Sequence, residues 1–173
     1  SGNNLGAKYA KGEYLAFINN DTYFKKPCFS FLKDLLSTHP NVGVCAPQQL
    51  APNHTPRQSF DHHHGLRKFF FGNAFLEIIY RKPRRKATFD HPVEVDFVQG
   101  CFMFFRKNIF EEIGGFDPNI FLYFEEMDIC TRLQNKKYKA VYHPGIDFYH
   151  IHEASTSVTL KNSGVKKAQI LYS

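Results

Sequence analysis

The sequence predicts an α/β protein, and three observations carry that expectation. Short apolar runs of strand length (13–19, 42–46, 93–105, 138–142 and 146–149) alternate with stretches of helical periodicity. Turn residues separate them: Lys11-Gly12, His39-Pro40-Asn41, Gly114-Gly115 and His143-Pro144-Gly145. The chain has 173 residues, 43% hydrophobic and 22% charged, which suits one folded domain with a real core.

Each element has its own local reason. Residues 3–12 read as the end of a helix, with Leu5, Ala7, Tyr9 and Ala10 before a Lys-Gly stop. The run Tyr14-Leu15-Ala16-Phe17-Ile18 is a strand that ends in Asn19-Asn20-Asp21. Pro27 opens a helix whose Cys28, Phe31, Leu32, Leu35 and Leu36 recur at helical spacing. Val42 to Ala46 is a short strand bounded by Pro47. Residues 47–65, with Pro, Asn, Gln and four His, read as a long polar loop. Residues 66–80 are aromatic and apolar, followed by five bases in 81–86. Val93 to Phe105 reads as one or two strands broken at Gln99-Gly100. A helix over 107–113 is stopped by Gly114-Gly115, and Phe116-Asp117-Pro118-Asn119 is a turn. Residues 123–137 read as a helix, and 138–142 and 146–149 as two strands split by His143-Pro144-Gly145. The segment 156–173 reads as a polar tail.

Composition narrows the function. Nineteen Phe and nine Tyr beside no Trp imply a ring-rich core or an apolar surface that awaits a partner. The net charge of +6 suits phosphates, polyanions or an anionic membrane. The aromatics lie in apolar runs instead of alternating with bases, so nucleic acid ranks last as a partner. The four cysteines form no CxxC pair, which argues against a zinc knuckle and for a reducing compartment. No apolar run reaches the roughly 18 residues of a membrane span, and the N-terminus has no leader pattern.

Three places carry chemistry-bearing residues. Asp21 follows an apolar strand, and ligands in open α/β sheets gather beyond strand carboxyl ends. A carboxylate there could hold Mg²⁺ or Mn²⁺ against a diphosphate; plain turn chemistry would use the same residues. Glu125, Glu126 and Asp128 crowd the first turn of a helix after Phe121-Leu122-Tyr123-Phe124. Acids there complement the helix dipole, and Asp128 can pair with Arg132. Desolvated beside the aromatics, one of them could instead accept a proton from a hydroxyl. His150 and His152 alternate along a strand and share a face. The Phe-rich and basic 66–86 stretch fits peripheral contact with an anionic membrane or, equally, a core or lid helix with a solvated basic end. The run His62-His63-His64 reads as no more than an adventitious metal site.

Three ordered segments, "NNLGAKYAKGEYLAFINNDT", "VDFVQGCFMFFRKNIFEEIGGFDPNIFLYFEEMDICTRL" and "YHPGIDFYHIHEAS", together resemble the family 2 glycosyltransferases of the GT-A fold, closest to a rhamnosyltransferase-like bacterial branch. The resemblance spans about residues 3–155. It implies a partial GT-A three-layer sandwich with a mixed sheet, one domain over 1–173, and an inverting transfer of a sugar from a nucleotide-sugar donor to a saccharide or lipid-linked acceptor. By resemblance, Asp21 is the last acid of a DxD-like metal motif reduced to Asn19-Asn20-Asp21, and His150 lies near metal and diphosphate. Asn3, Asn4, Gly6 and Asn20 match segments near the nucleotide, and Gln99-Gly100 a turn that lines donor or acceptor. Glu126 matches the base, usually Asp in the family, so Glu125 and Asp128 remain candidates. The family's opening strand, of the type "VSVVIVTYN", has no counterpart here. A C-terminal portion of the domain, inactive alone and prone to homo-oligomerise, is therefore expected. A cytoplasmic site at the inner face of the membrane is expected too. The rival reading is a non-catalytic module of the same fold that docks a membrane or a partner protein.

Overall fold

The computed structural model describes residues 2–63, 65–120 and 124–151. His64, His152, residues 121–123 and the tail 156–173 lie outside them. The elements run α1 (Gly2–Tyr9), β1 (Tyr14–Ile18), β2 (Thr22–Tyr23), α2 (Phe29–Thr38), β3 (Val42–Leu50), β4 (Phe60–Asp61), α3 (Arg67–Phe71) and α4 (Asn73–Ile79). They continue as β5 (Val93–Val95), β6 (Phe97–Val98), β7 (Phe102–Arg106), α5 (Lys107–Glu112), α6 (Glu125–Asn135) and β8 (Lys139–His150).

The main sheet has the order β1-β7-β3-β8-β2, with β5 also paired to β8. β7 is antiparallel to both β1 and β3, while β3 and β8 are parallel, so the sheet is mixed. A separate small ribbon pairs β4 with β6. Alternation along the central strands feeds two cores, one on each face. Phe102 and Phe104 of β7, Cys45 of β3 and Val141 of β8 join Leu32, Leu35 and Leu36 of α2. Met103 and Phe105, Val44 and Ala46, and Ala140 and Tyr142 turn the other way, toward Ile109 and Phe110 of α5 and Ile129, Cys130 and Leu133 of α6. The result is three layers, helix on sheet on helix. Much of the ring content goes to the second face, where Phe17, Phe105, Phe110 and Phe116 meet with centroids 4.9 to 6.4 Å apart. All four cysteines are free thiols.

The α5 stop is built as its two glycines suggest. Gly114 and Gly115 take φ of +83° and +68°, and their amides donate to Glu111 and Phe110 carbonyls at 3.0 and 2.9 Å.

Two expected breaks are absent. The strands expected at 138–142 and 146–149 are one strand, β8, and β3 runs through Pro47 to Leu50. The physical reason is one shared irregularity. Pro47 lies opposite His143, the next pair is Gln48 with Asp147, and residues 144–146 bulge out between them. A proline at a bulge has no ladder hydrogen bond to lose. The 47–65 stretch is accordingly less of a loop than expected, holding the end of β3 and all of β4.

Candidate active site

Topology assembles the site. Because β1 and β3 both oppose β7 while β3 and β8 run together, β1, β3 and β8 share one direction. Their carboxyl ends and the amino end of β7 therefore meet at one rim of the sheet. Asp21, Gln49, His150 and the turn Gln99-Gly100-Cys101 all lie there. Asn19 still bonds the start of β7, its amide donating to the Cys101 carbonyl at 3.0 Å, while Thr22 already pairs with His150. The segment 19–21 thus bridges the rim.

At the rim Asp21 Oδ1 is 2.9 Å from His150 Nε2, with both side chains largely buried. Gln49 Nε2 donates to His150 Nδ1 at 3.0 Å, and the Cys101 thiol donates to Gln49 Oε1 at 3.5 Å. These partners assign the imidazole proton to Nε2, which donates to the carboxylate. Asn19 Nδ2 lies 3.4 Å from the same nitrogen. Among the described residues no three acidic, His or Cys side chains gather as a metal cluster.

The helix acids separate clearly. Asp128 is tied to Arg132, with Nε and Nη2 donating to its Oδ2 at 2.9 and 2.5 Å. Glu125 buries Oε2, with no hydrogen-bond partner among the described residues. Glu126 is partly buried, and its carboxyl is pushed up to about 7, first by desolvation and further by the neighbouring Glu125 charge, against a backbone hydrogen bond that opposes both. Glu126 faces the rim: a Cβ placed on Gly100 would sit 3.5 Å from its Oε2. Cys101, one residue on, ties the two halves together. Its thiol is pushed up to about 12, chiefly by burial, with the charges of Glu126 and Asp21 both adding. A single side chain feels both carboxylates.

The remaining expected residues divide. Gln99 holds the rim turn, its amide donating to Ser59 O at 3.0 Å and its carbonyl accepting from Phe102 N at 3.4 Å. Asn20 is exposed beside Asp21. Asn3 and Gly6 line an open groove between α1 and β1 that ends at Ile18. Asn4 has a structural task instead: its Nδ2 donates to Phe116 O at 2.7 Å and its Oδ1 accepts from Phe116 N at 2.9 Å, clasping the turn after Gly115. His62 is also internal, Nε2 against Pro83 O at 2.8 Å and Nδ1 near Asp96 at 3.5 Å. Sequence reasoning missed Gln49. A polar pair, Gln48-Gln49, closing an apolar strand is the same signal that marks Asp21, hidden because Pro47 looked like the strand's end.

Comparison with known proteins agrees with this architecture. Residues 1–114 match the family described as Glycosyl transferase family 2. Rhamnosyltransferase WbbL of Escherichia coli (strain K12) is 33% identical over 98 residues, 54% of this chain and 36% of that protein. The N-acetylglucosaminyl-diphospho-decaprenol L-rhamnosyltransferase of Mycobacterium tuberculosis (strain CDC 1551 / Oshkosh) is 31% identical over 78 residues, 45% of this chain and 24% of that protein. The aligned part is thus about a third or less of these relatives' length. Among solved structures, GalNAc-T7 with UDP, GalNAc and Mn²⁺ superposes with a TM-score of 0.60 at 15% identity, covering 86% of this chain and 29% of that one. A197 from STIV gives a TM-score of 0.52 at 11% identity, covering 86% and 62%. The fold is GT-A.

Proposed function

The chain belongs to glycosyl transferase family 2, and from that premise we propose that its sheet rim transfers a sugar, rhamnose by kinship, from a nucleotide sugar to a hydroxyl of a saccharide or lipid-linked acceptor with inversion. The observation that supports this best is Glu126. Its carboxyl titrates near 7 against the open backbone of Gly100, on the rim that also holds Asp21 and His150. A carboxylate of that basicity takes a proton from an attacking hydroxyl far better than one in the ordinary range near 4. Asp128, neutralised by Arg132, suits the base role poorly.

Asp21 and His150 suit a divalent ion. They place an oxygen and a nitrogen donor side by side, and Mg²⁺ or Mn²⁺ on a diphosphate commonly takes one or two protein ligands, with phosphate and water supplying the rest. Such an ion, when bound, supplies charge neutralisation at a departing diphosphate. For His150 Nε2 to serve, its proton must move to Nδ1, and Gln49 must turn its amide to accept there. Gln49 is therefore a positioning residue, and Gly100 keeps the space beside Glu126 open.

The test is a transfer assay with nucleotide-linked sugars and hydroxyl acceptors on the protein that carries this chain. Glu126→Gln should lower kcat by about a hundredfold or more with KM little changed. Asp128→Asn should retain most activity. A Glu126→Gln enzyme at the wild-type rate would overturn the assignment.

A further inference from the structure

We propose that the α3–α4 segment is a docking element for an anionic phospholipid surface. The proposal is independent of the transfer chemistry. α4 buries only Leu76 and Glu77, and leaves Phe75, Ile78 and Ile79 more than half exposed. α3 adds Phe69 and Phe70, 74% and 81% exposed. So many large apolar side chains exposed within one short segment of a folded chain mark an interaction site.

Charge selects the occupant. In residues 65–86 the sole acid is Glu77, which is buried and paired with Arg85 at 2.7 Å. Arg85 also reaches Asp61 at 3.2 Å. Arg85 and Lys82, the latter held by Asp96 at 2.6 Å, are therefore already paired with acids of the protein. Arg81, Arg84 and Lys86 are exposed. The solvent face of the segment is thus apolar and cationic with no exposed acid, which complements a bilayer whose surface is anionic and whose interior is hydrocarbon. The backbone fixes this pairing. Arg81 takes φ +51°, Lys82 N donates to Glu77 O at 2.8 Å and Arg81 N to Ile78 O at 3.1 Å. That helix stop ends α4 and sets the exposed basic run directly after its apolar residues. A non-glycine residue holds the left-handed position there. Among the described residues no helix is long and apolar enough to cross a membrane. Helices of five and seven residues can only lie in the interface.

The experiment is sedimentation of the chain with phosphatidylglycerol vesicles and with phosphatidylcholine vesicles, at low and high salt. Binding to the anionic vesicles, weakened by salt, is expected. Arg81→Gln/Arg84→Gln/Lys86→Gln should weaken it on the order of a hundredfold at low salt. Phe70→Ser/Ile79→Ser should also abolish it, with unchanged circular dichroism because these side chains pack against little. Binding unaffected by the triple variant, or equal on both vesicles, would overturn the proposal. So would no vesicle binding together with a dimer that Phe70→Ser/Ile79→Ser dissolves, which would give the face to a second copy.

Discussion

Glu126 and Asp128 stand two residues apart and end in opposite electrostatic states. Asp128 has a guanidinium on it, whereas Glu126 has desolvation and a second acid beside it. Holding the native carboxyl near 7 against an ordinary 4.5 has a consequence for stability. Between those pH values the folded chain keeps a proton that the unfolded chain releases, so this group's contribution falls as pH rises through that window. Glu126→Gln should therefore raise the melting temperature at pH 8, by the equivalent of about 1–3 kcal/mol, and leave it nearly unchanged at pH 4. Equal melting curves at both pH values would deny the desolvation. Asp96 works in the reverse sense. Burial opposes its ionisation, yet hydrogen bonds from Lys82 and the His63 amide, with the His62 ring beside it, more than compensate and hold it below the usual range. Its contribution is present above the ordinary carboxylate pKa near 3.8 and is lost as pH falls below it. Asp96→Asn should cost about 2 kcal/mol at pH 7, read by urea unfolding, and should flatten the acid limb of stability against pH.

Packing between elements sets a sharper test. Gly43 at the start of β3 has Leu133 Cδ2 of α6 2.5 Å from where a Cβ would lie, and Tyr138 Cβ at 3.1 Å. Gly43→Ala should destabilise by about 1–3 kcal/mol in thermal unfolding, because helix and strand can separate only by opening the core. Most elements were legible because their signals are local. The leucine spacing of α2, the glycine stop of α5 and the apolar run of β1 each need no distant partner. The continuous β8 and the long β3 were not, because proline and glycine announce a break unless a facing bulge absorbs them. That bulge belongs to two strands roughly a hundred residues apart, beyond what local pattern can report. The two-residue strands β2 and β4 were equally hidden, being defined only by their partners.

For the whole molecule, the site is a product of strand direction. Asp21, Glu126 and His150 were picked out singly from the sequence, each with an ordinary structural explanation, and Gly100 by the family resemblance alone; the mixed sheet brings them to one rim. Gln49 and Cys101, which link them, gave little local signal. Gly100→Ala tests the open space on that rim. Its methyl would make ordinary contact with Glu126 Oε2, so thermal stability should hold while transfer falls at least tenfold if an acceptor must reach the carboxylate. Full activity would mean that the acceptor arrives elsewhere. The most direct measurement is paramagnetic broadening of isotope-labelled chain by Mn²⁺ with pyrophosphate. Signals of Asp21 and His150 should vanish first, followed by Gly100, Cys101 and the Glu126 carboxyl, while Asn4 stays sharp. Broadening confined to His62 and His63, or absent from Gly100 and Glu126, would contradict a shared cleft.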